Sequence, residues 1–164
     1  MAATPAIAAL ERAQIAHTVH RYDHDPRSES YGTEAVEALA DELGIVAGQV
    51  FKTLVVELAG GDRPGLAVAV VPVPCKLSLK AAAAALGAPK AKMAEAKAVT
   101  RSTGYVLGGV SPVGQRTRLP TVLDASALEF DRVLCSAGKR GLEIALAPAD
   151  LVAATDAVVA DIAV

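Results

Sequence analysis

A lysine inside an apolar strand is the residue whose type and place first invite chemistry. Lys52 follows Val50-Phe51 and precedes Thr53 and then Leu54-Val55-Val56. An ammonium there either snorkels out at a strand end or is held where its charge is used. The polar groups that could converge with it are Tyr22, Thr53, Ser111, Ser136 and the backbone of Gly108-Gly109. They are hydrogen-bonding groups without a strong base, because all three histidines (His17, His20, His24) lie before residue 25. Such a set can bind a carbonyl or a phosphate and stabilise an oxyanion. The nucleophile would have to come from the substrate or from water. On a strand His20 and His24 share a face that His17 does not, so turn capping and surface positions are expected and no metal. No phosphate-binding GKS/T loop, HExxH, nucleophile elbow or dinucleotide fingerprint is present, and no cofactor is expected.

The glycine-rich stretch over 101–124 is the second candidate. Gly104, Gly108, Gly109 and Gly114, with the turn pair Ser111-Pro112, read as a strand over 104–108, a turn, and a strand over 119–123. A Gly-Gly pair permits φ > 0 and lets a ligand approach bare N–H groups. An ordinary hairpin loop has the same spacing, and both readings stand at this level.

These groups need elements to position them. Thr4-Pro5 opens a helix over 5–13 as N-cap and first residue. Further helices are expected over 34–43 with Thr33 as cap, 79–86 after Ser78, 90–99, and 151–155. Alternation and apolar runs give strands over 16–22, 50–58, 66–73, 132–136 and 142–146, with 157–162 a strand or tail. The run 66–73 is apolar throughout, as in a central strand covered on both faces. A polar loop is expected over 28–33, and 137–141 forms the basic, glycine-bounded tip of a hairpin. The pattern is α+β, and 164 residues suit a single domain, 1–164.

The composition is that of a globular protein, with 52% hydrophobic residues. Aromatics are 3% and Trp is absent, which argues against base stacking on an aromatic platform. No apolar run reaches the roughly 18 residues of a membrane span, and the N-terminus reads as an amphipathic helix, so a cytoplasmic protein without membrane contact is expected. Cys75 and Cys135 form no metal spacing and read as buried, inert thiols. The net charge of −2 hides an asymmetry. Residues 74–118 carry eight Lys/Arg (Lys76, Lys80, Lys90, Lys92, Lys97, Arg101, Arg116, Arg118) against one acid, Glu95. A middle third so basic points to an anionic partner, or else to a solvated face.

Five motifs in one order carry a resemblance: Tyr22-Asp23-His24-Asp25-Pro26, Val50-Phe51-Lys52-Thr53-Leu54, Arg101-Ser102-Thr103-Gly104-Tyr105, Gly108-Gly109-Val110-Ser111-Pro112 and Gly138-Lys139-Arg140-Gly141-Leu142. Together they resemble the YbaK family of free-standing trans-editing proteins, related to the insertion domain of bacterial prolyl-tRNA synthetase, and most closely its Cys-tRNA(Pro) deacylase branch. The resemblance implies a mixed, barrel-like sheet flanked by helices, and hydrolysis of the ester between a mischarged amino acid and the tRNA 3′ end. It implies that Lys52 holds the tRNA terminus and that Gly108 and Gly109 supply backbone donors, these three forming the catalytic set. Tyr22, Thr53, Ser111, Pro112, Ser136, Gly138 and Lys139 form the implied substrate-binding set. The implied partners are mischarged tRNA(Pro) and, as a candidate, prolyl-tRNA synthetase. In the cysteine branch the substrate's own thiol attacks its carbonyl, which accounts for the missing base. Glu143 departs from the family's Lys-Arg-Gly-Leu-Asp by one methylene. Two other classes stay open: a non-catalytic tRNA- or nucleotide-binding module, a deacylase of another mischarged tRNA such as Ala-tRNA(Pro) aside, and a protein-binding adaptor.

If the basic third contacts tRNA, affinity for aminoacyl-tRNA falls as salt rises, because phosphate contacts release counterions. Equilibrium binding across a salt series measures the slope; a flat response removes 74–118 as a binding surface.

Overall fold

The structure, a computed structural model, describes residues 4–25, 27 and 31–164. Pro26 and the 28–30 part of the expected polar loop lie outside them. The helices are α1 (Pro5–Arg12), α2 (Tyr31–Leu43), α3 (Leu79–Ala85), α4 (Ala96–Thr103) and α5 (Pro148–Thr155). The strands are β1 (Thr18–Arg21), β2 (Phe51–Ala59), β3 (Gly65–Pro72), β4 (Lys90–Met93), β5 (Thr121–Asp124), β6 (Val133–Lys139), β7 (Leu142–Leu146) and β8 (Val158–Ala160).

Among the described residues the strands form two sheets. One is antiparallel, ordered β1-β7-β6; the other is mixed, ordered β4-β2-β3-β5-β8. β2 runs antiparallel to β3 and β4, whereas β3–β5 and β5–β8 are parallel. The unbroken apolar run of β3 takes the central place its composition calls for. The two sheets meet at an isolated parallel bridge, Val50 to Leu134. The architecture is therefore α+β with mixed pairing and flanking helices, but the expected barrel is not closed.

Helix positions follow from their apolar faces. Ile7 and Leu10 of α1 are buried in the largest cluster with Phe51, Val133, Cys135 and Ile144. Thr4 caps that helix, accepting from the Ile7 N–H at 3.2 Å, and its hydroxyl donates to the Ala137 carbonyl of β6. The alanines of α3 pack closely on the other face of the five-stranded sheet. Ala35 and Leu39 of α2 bury against Val50, Leu134 and Ala145, across the junction of the sheets. Arg132 fixes the far end of α2 by donating to the Leu43 carbonyl at 2.8 Å.

Three expectations are corrected. Helix α2 begins at Tyr31, so Thr33 is inside its first turn rather than capping it. The helix expected over 90–99 splits: 90–93 is β4, paired with β2 and held by Lys92 to Glu57 at 3.2 Å, and the helix starts at Ala96. An unpaired edge of β2 outweighed the helix propensity of four residues. The strand expected over 104–108 is absent: α4 runs to Thr103, left-handed Gly104 stops it, and a loop follows. That helix end is fixed by Thr103, whose hydroxyl donates to the Val99 carbonyl at 2.7 Å and accepts from the Tyr105 N–H at 3.1 Å.

The C-terminal segment is tied down by a buried carboxylate. Asp124 Oδ1 accepts from the Ile162 and Ala163 N–H groups, each at 2.9 Å, and Oδ2 accepts from the N–H and hydroxyl of Ser126. Burial alone would raise its pKa, but the hydrogen bonds from Ser126, Ile162 and Ala163 outweigh it and hold the carboxyl below its ordinary value. A depressed carboxyl contributes stability that is present above its unfolded pKa of about 3.9 and lost as pH falls through the folded value. Asp124→Ala is expected to destabilise by about 3 kcal/mol at neutral pH, since several buried donors lose their acceptor. Denaturant unfolding of the pair should show the gap shrinking below about pH 4; a gap independent of pH would mean that packing, not charge, sets it.

Candidate active site

The geometry of the site follows from the bridge between the sheets. Side chains two residues apart on a strand share a face, so Lys52 lies on the face of Val50 and Ser136 on that of Leu134. Ser136 is the cross-strand partner of Glu143, as Leu134 is of Ala145. The apolar cluster beneath α2 is thus continued, one step along each strand, by Lys52, Ser136 and Glu143. Because the bridge is isolated, β2 and β6 do not go on pairing, and a cavity of about 410 Å³ opens where they part. The first turn of α2, with Tyr31, Gly32 and Thr33, forms one wall, and Leu107, Gly108 and Val110 form another.

Four of the expected site residues line this cavity: Lys52, Thr53, Gly108 and Ser136. Lys52 Nζ donates to the Val73 carbonyl at 3.2 Å. Burial draws its pKa down from the usual lysine value, and nearby Cys75 acts in the opposite sense. Ser136 Oγ accepts from the Gly138 N–H at 3.1 Å, which leaves the hydroxyl proton to donate into the cavity. The Thr53 hydroxyl is buried without a hydrogen-bond partner.

The other expected residues sit elsewhere. Tyr22 and Lys139 line a second cleft of about 850 Å³, with Arg21, His24 and Arg140. Burial, and then the charge of Glu143, raises the Tyr22 phenol. Gly109, Ser111, Pro112 and Gly138 line neither space. The Gly109 N–H closes a turn onto the Val106 carbonyl at 3.0 Å, so it is already used as a donor. Ser111 is buried and its hydroxyl accepts from the Val113 N–H at 3.2 Å. The glycine pair has a packing reason. Gly108 adopts φ +90°, and an added Cβ would stand 3.1 Å from the Tyr31 ring; at Gly109 it would stand 3.0 Å from the backbone of Lys139 and Arg140. None of the eight basic residues of 74–118 lines the cavity.

The structure adds two groups that spacing did not single out. Tyr31 lies under the Arg140 guanidinium, 4.6 Å from the ring centroid. Arg140 is also paired with Glu34 at 2.9 Å, largely out of solvent. Glu34 accepts in addition from the Asp25 N–H at 3.0 Å. That bond first, and Arg140 after it, holds the carboxyl below its ordinary value. This clamp fixes the hairpin tip to α2 and so fixes the cavity wall.

Glu143 is the second. Its side chain is 6% exposed, lines the cavity, and leaves Oε2 without a hydrogen-bond partner. Burial pushes its pKa up to about 8. The sequence signal was an acid inside the apolar run Leu142-Glu143-Ile144-Ala145-Leu146. The lining of this cavity includes one cation, one buried acid and four hydroxyl-bearing residues (Tyr31, Thr33, Thr53 and Ser136), and no His or Cys. Such a set can bind and polarise a carbonyl group.

Known proteins carry the same fold and sequence pattern. The aminoacyl-tRNA editing domain family matches residues 31–154. A protein of Enterococcus faecalis named as a candidate Cys-tRNA(Pro)/Cys-tRNA(Cys) deacylase, EbsC, is 40% identical over 128 residues, covering 78% of this chain and 76% of its own. The crystal structure of a candidate trans-editing enzyme for prolyl-tRNA synthetase superposes with a TM-score of 0.80 at 29% identity, over 98% of this chain and 95% of the other. A scaffold protein used for epitope grafting by computational design does so with a TM-score of 0.80 at 28% identity, with the same coverage. The chain belongs to the aminoacyl-tRNA editing family, the YbaK family that its five motifs resemble, and its class is aminoacyl-tRNA deacylase.

The raised pKa of Glu143 has a thermodynamic consequence. The native protein keeps a proton that the unfolded chain releases above about pH 4.3, so stability falls as pH rises from there to about 8. Glu143→Gln, which cannot ionise, is expected to gain in melting temperature relative to the native protein between pH 5 and about pH 8, in thermal unfolding of the pair. Parallel curves would show Glu143 ionised in the native state.

Proposed function

We propose that the chain is a trans-editing enzyme that removes cysteine from mischarged tRNA(Pro), with the substrate thiol as nucleophile. The observation that carries this reading is the convergence of Lys52, Ser136 and buried Glu143 in one cavity whose described lining includes no His or Cys. The Enterococcus faecalis relative, named for Cys-tRNA(Pro)/Cys-tRNA(Cys) deacylation, supports it. Cys135 is fully buried in the main core; Cys75, expected to be buried, is part-exposed and near Lys52, but it is not among the residues that line the cavity.

In this reading the aminoacyl group enters the cavity and its α-ammonium meets Glu143, which ionises as the cation arrives. Lys52 stays protonated and holds the ribose or terminal phosphate by charge. Ser136 and the Gly108 backbone face the ester carbonyl and the oxyanion that develops on it. The thiolate sulfur forms a bond to the carbonyl carbon while the bond to the tRNA 3′ oxygen breaks. The thiol's proton passes to that oxygen, giving free tRNA and a cysteine thiolactone that water then opens. The intramolecular attack gains effective concentration, and a thiol ionises near neutral pH where a hydroxyl does not. Prolyl-tRNA synthetase is the partner that could supply tRNA selection to so small a protein, and the cytoplasm is where charged tRNA would meet it. No helix among the described residues is long and apolar enough to cross a membrane.

The test is deacylation of Cys-, Ser- and Ala-tRNA(Pro) by the native protein, Lys52→Arg and Lys52→Ala. Cysteine is expected to be removed much faster than serine on the same tRNA. Lys52→Ala should lose about one to two decades in rate, the worth of a charge-assisted hydrogen bond in a desolvated site, and Lys52→Arg should keep part of the activity. Equal rates for Cys- and Ser-tRNA would point to water activated by Glu143, whose raised pKa suits a general base.

A further inference from the structure

Two aliphatic side chains stand in solvent at the rim of the cavity. Val106 is 65% exposed and Leu107 is 52% exposed, and Leu107 is also a wall residue of the cavity. They sit on the tip of a turn closed by the Gly109 N–H on the Val106 carbonyl, with left-handed Gly108 behind them. Single exposed aliphatic residues are ordinary. An adjacent pair at the mouth of a cavity that holds Lys52, Ser136 and Glu143 is placed where a substrate must leave it.

What leaves is fixed by the substrate of the proposed reaction, on which this inference rests. An aminoacyl ester inside the cavity continues outward as ribose and then as the terminal adenine of tRNA. Unpaired bases are held by stacking, usually on aromatic rings. This protein has three Tyr, two Phe and no Trp, and of the five only Tyr31 and Phe51 line the cavity. Phe51 and Tyr105 are buried, and Phe130 packs on the core. Tyr22 lines the second cleft. Tyr31 carries Arg140 over its ring, and Gly108 abuts it. The surface left for a base is the aliphatic pair, and the stretch Val106-Leu107-Gly108-Gly109-Val110 contains no charge.

We propose that Val106 and Leu107 form the platform on which the terminal adenine of the charged tRNA rests while its ester occupies the cavity. The contact is apolar, so it is insensitive to salt, unlike the phosphate contacts of the same substrate. It acts on binding of the nucleoside and not on the chemical step.

The experiment compares the native protein with Val106→Ser/Leu107→Ser. Both positions are exposed, where substitution ordinarily moves stability by less than about 0.5 kcal/mol. Deacylation of Cys-tRNA(Pro) is measured at low and moderate salt, with adenosine as competitor, and adenosine binding is measured directly by calorimetry. The double variant is expected to raise KM and the adenosine inhibition constant together by roughly tenfold, the contribution of one buried apolar side chain. The ratio should be the same at both salt concentrations, with kcat changed less than about twofold. An unchanged adenosine constant overturns the platform, and so does a loss confined to kcat. A KM effect that vanishes with salt, or that appears only when a synthetase is added, assigns the pair to phosphate or protein contact and overturns it too. If the native protein deacylates no charged tRNA, the editing reading fails instead, and the calorimetric comparison alone decides the platform.

Discussion

The site depends on a junction where two sheets touch and then separate. Val50 and Leu134 form one parallel bridge, both fully buried under Leu39 of α2. If the ladder continued, Lys52 and Ser136 would close on each other and no cavity would exist. If the bridge were missing, the lysine of one sheet and the buried acid of the other would not share a space. The opening is an interruption of strand pairing, and the apolar cluster below it keeps the parting strands in place. In α/β architecture ligands collect where strand order breaks; here the same logic operates at the seam between a mixed and an antiparallel sheet.

Around that seam the charges are arranged so that the fold does not neutralise its own site. Lys52 is turned to the Val73 carbonyl, whereas Glu143 has an oxygen without a partner. By contrast, the acids that only build structure are fully engaged: Asp124 accepts four hydrogen bonds and Glu34 is clamped by Arg140 and the Asp25 N–H. A buried carboxyl without a partner lowers stability, which is why natural cores avoid it. In the proposed reading a cationic ligand completes it.

Much of this was legible in the sequence. Lys52 stood out because an ammonium is rare inside Val-Phe-x-Thr-Leu-Val-Val, and the α+β class followed from periodicity that matched six of the strands within a few residues. Order and spacing of the five motifs were enough for the family. What failed was local. Lys90-Ala91-Lys92-Met93 has no intrinsic reason to be a strand; the open edge of β2 supplies it. The glycine loop invited a reading as a pair of free donors, but the Gly109 N–H is spent on its own turn, and no spacing rule shows that. Tyr22 and Lys139 were expected at the cavity yet line the second cleft together with Arg140; the strand register shifts between Ser136 and Lys139, so the alternation that places Ser136 does not carry on to the hairpin tip.

Glu143 shows most clearly why sequence spacing stops short of the site. From the sequence its extra methylene relative to the family's aspartate only raised a question about positioning. In the structure the register with Ser136 decides where the carboxyl goes, and the depth of the cavity decides its protonation. A carboxyl held neutral by burial donates as well as accepts, so it can offer a hydrogen bond to a carbonyl. Once a cation enters, the same group becomes an acceptor. In the proposed reading, which aminoacyl group is removed then turns on which of them carries its own nucleophile.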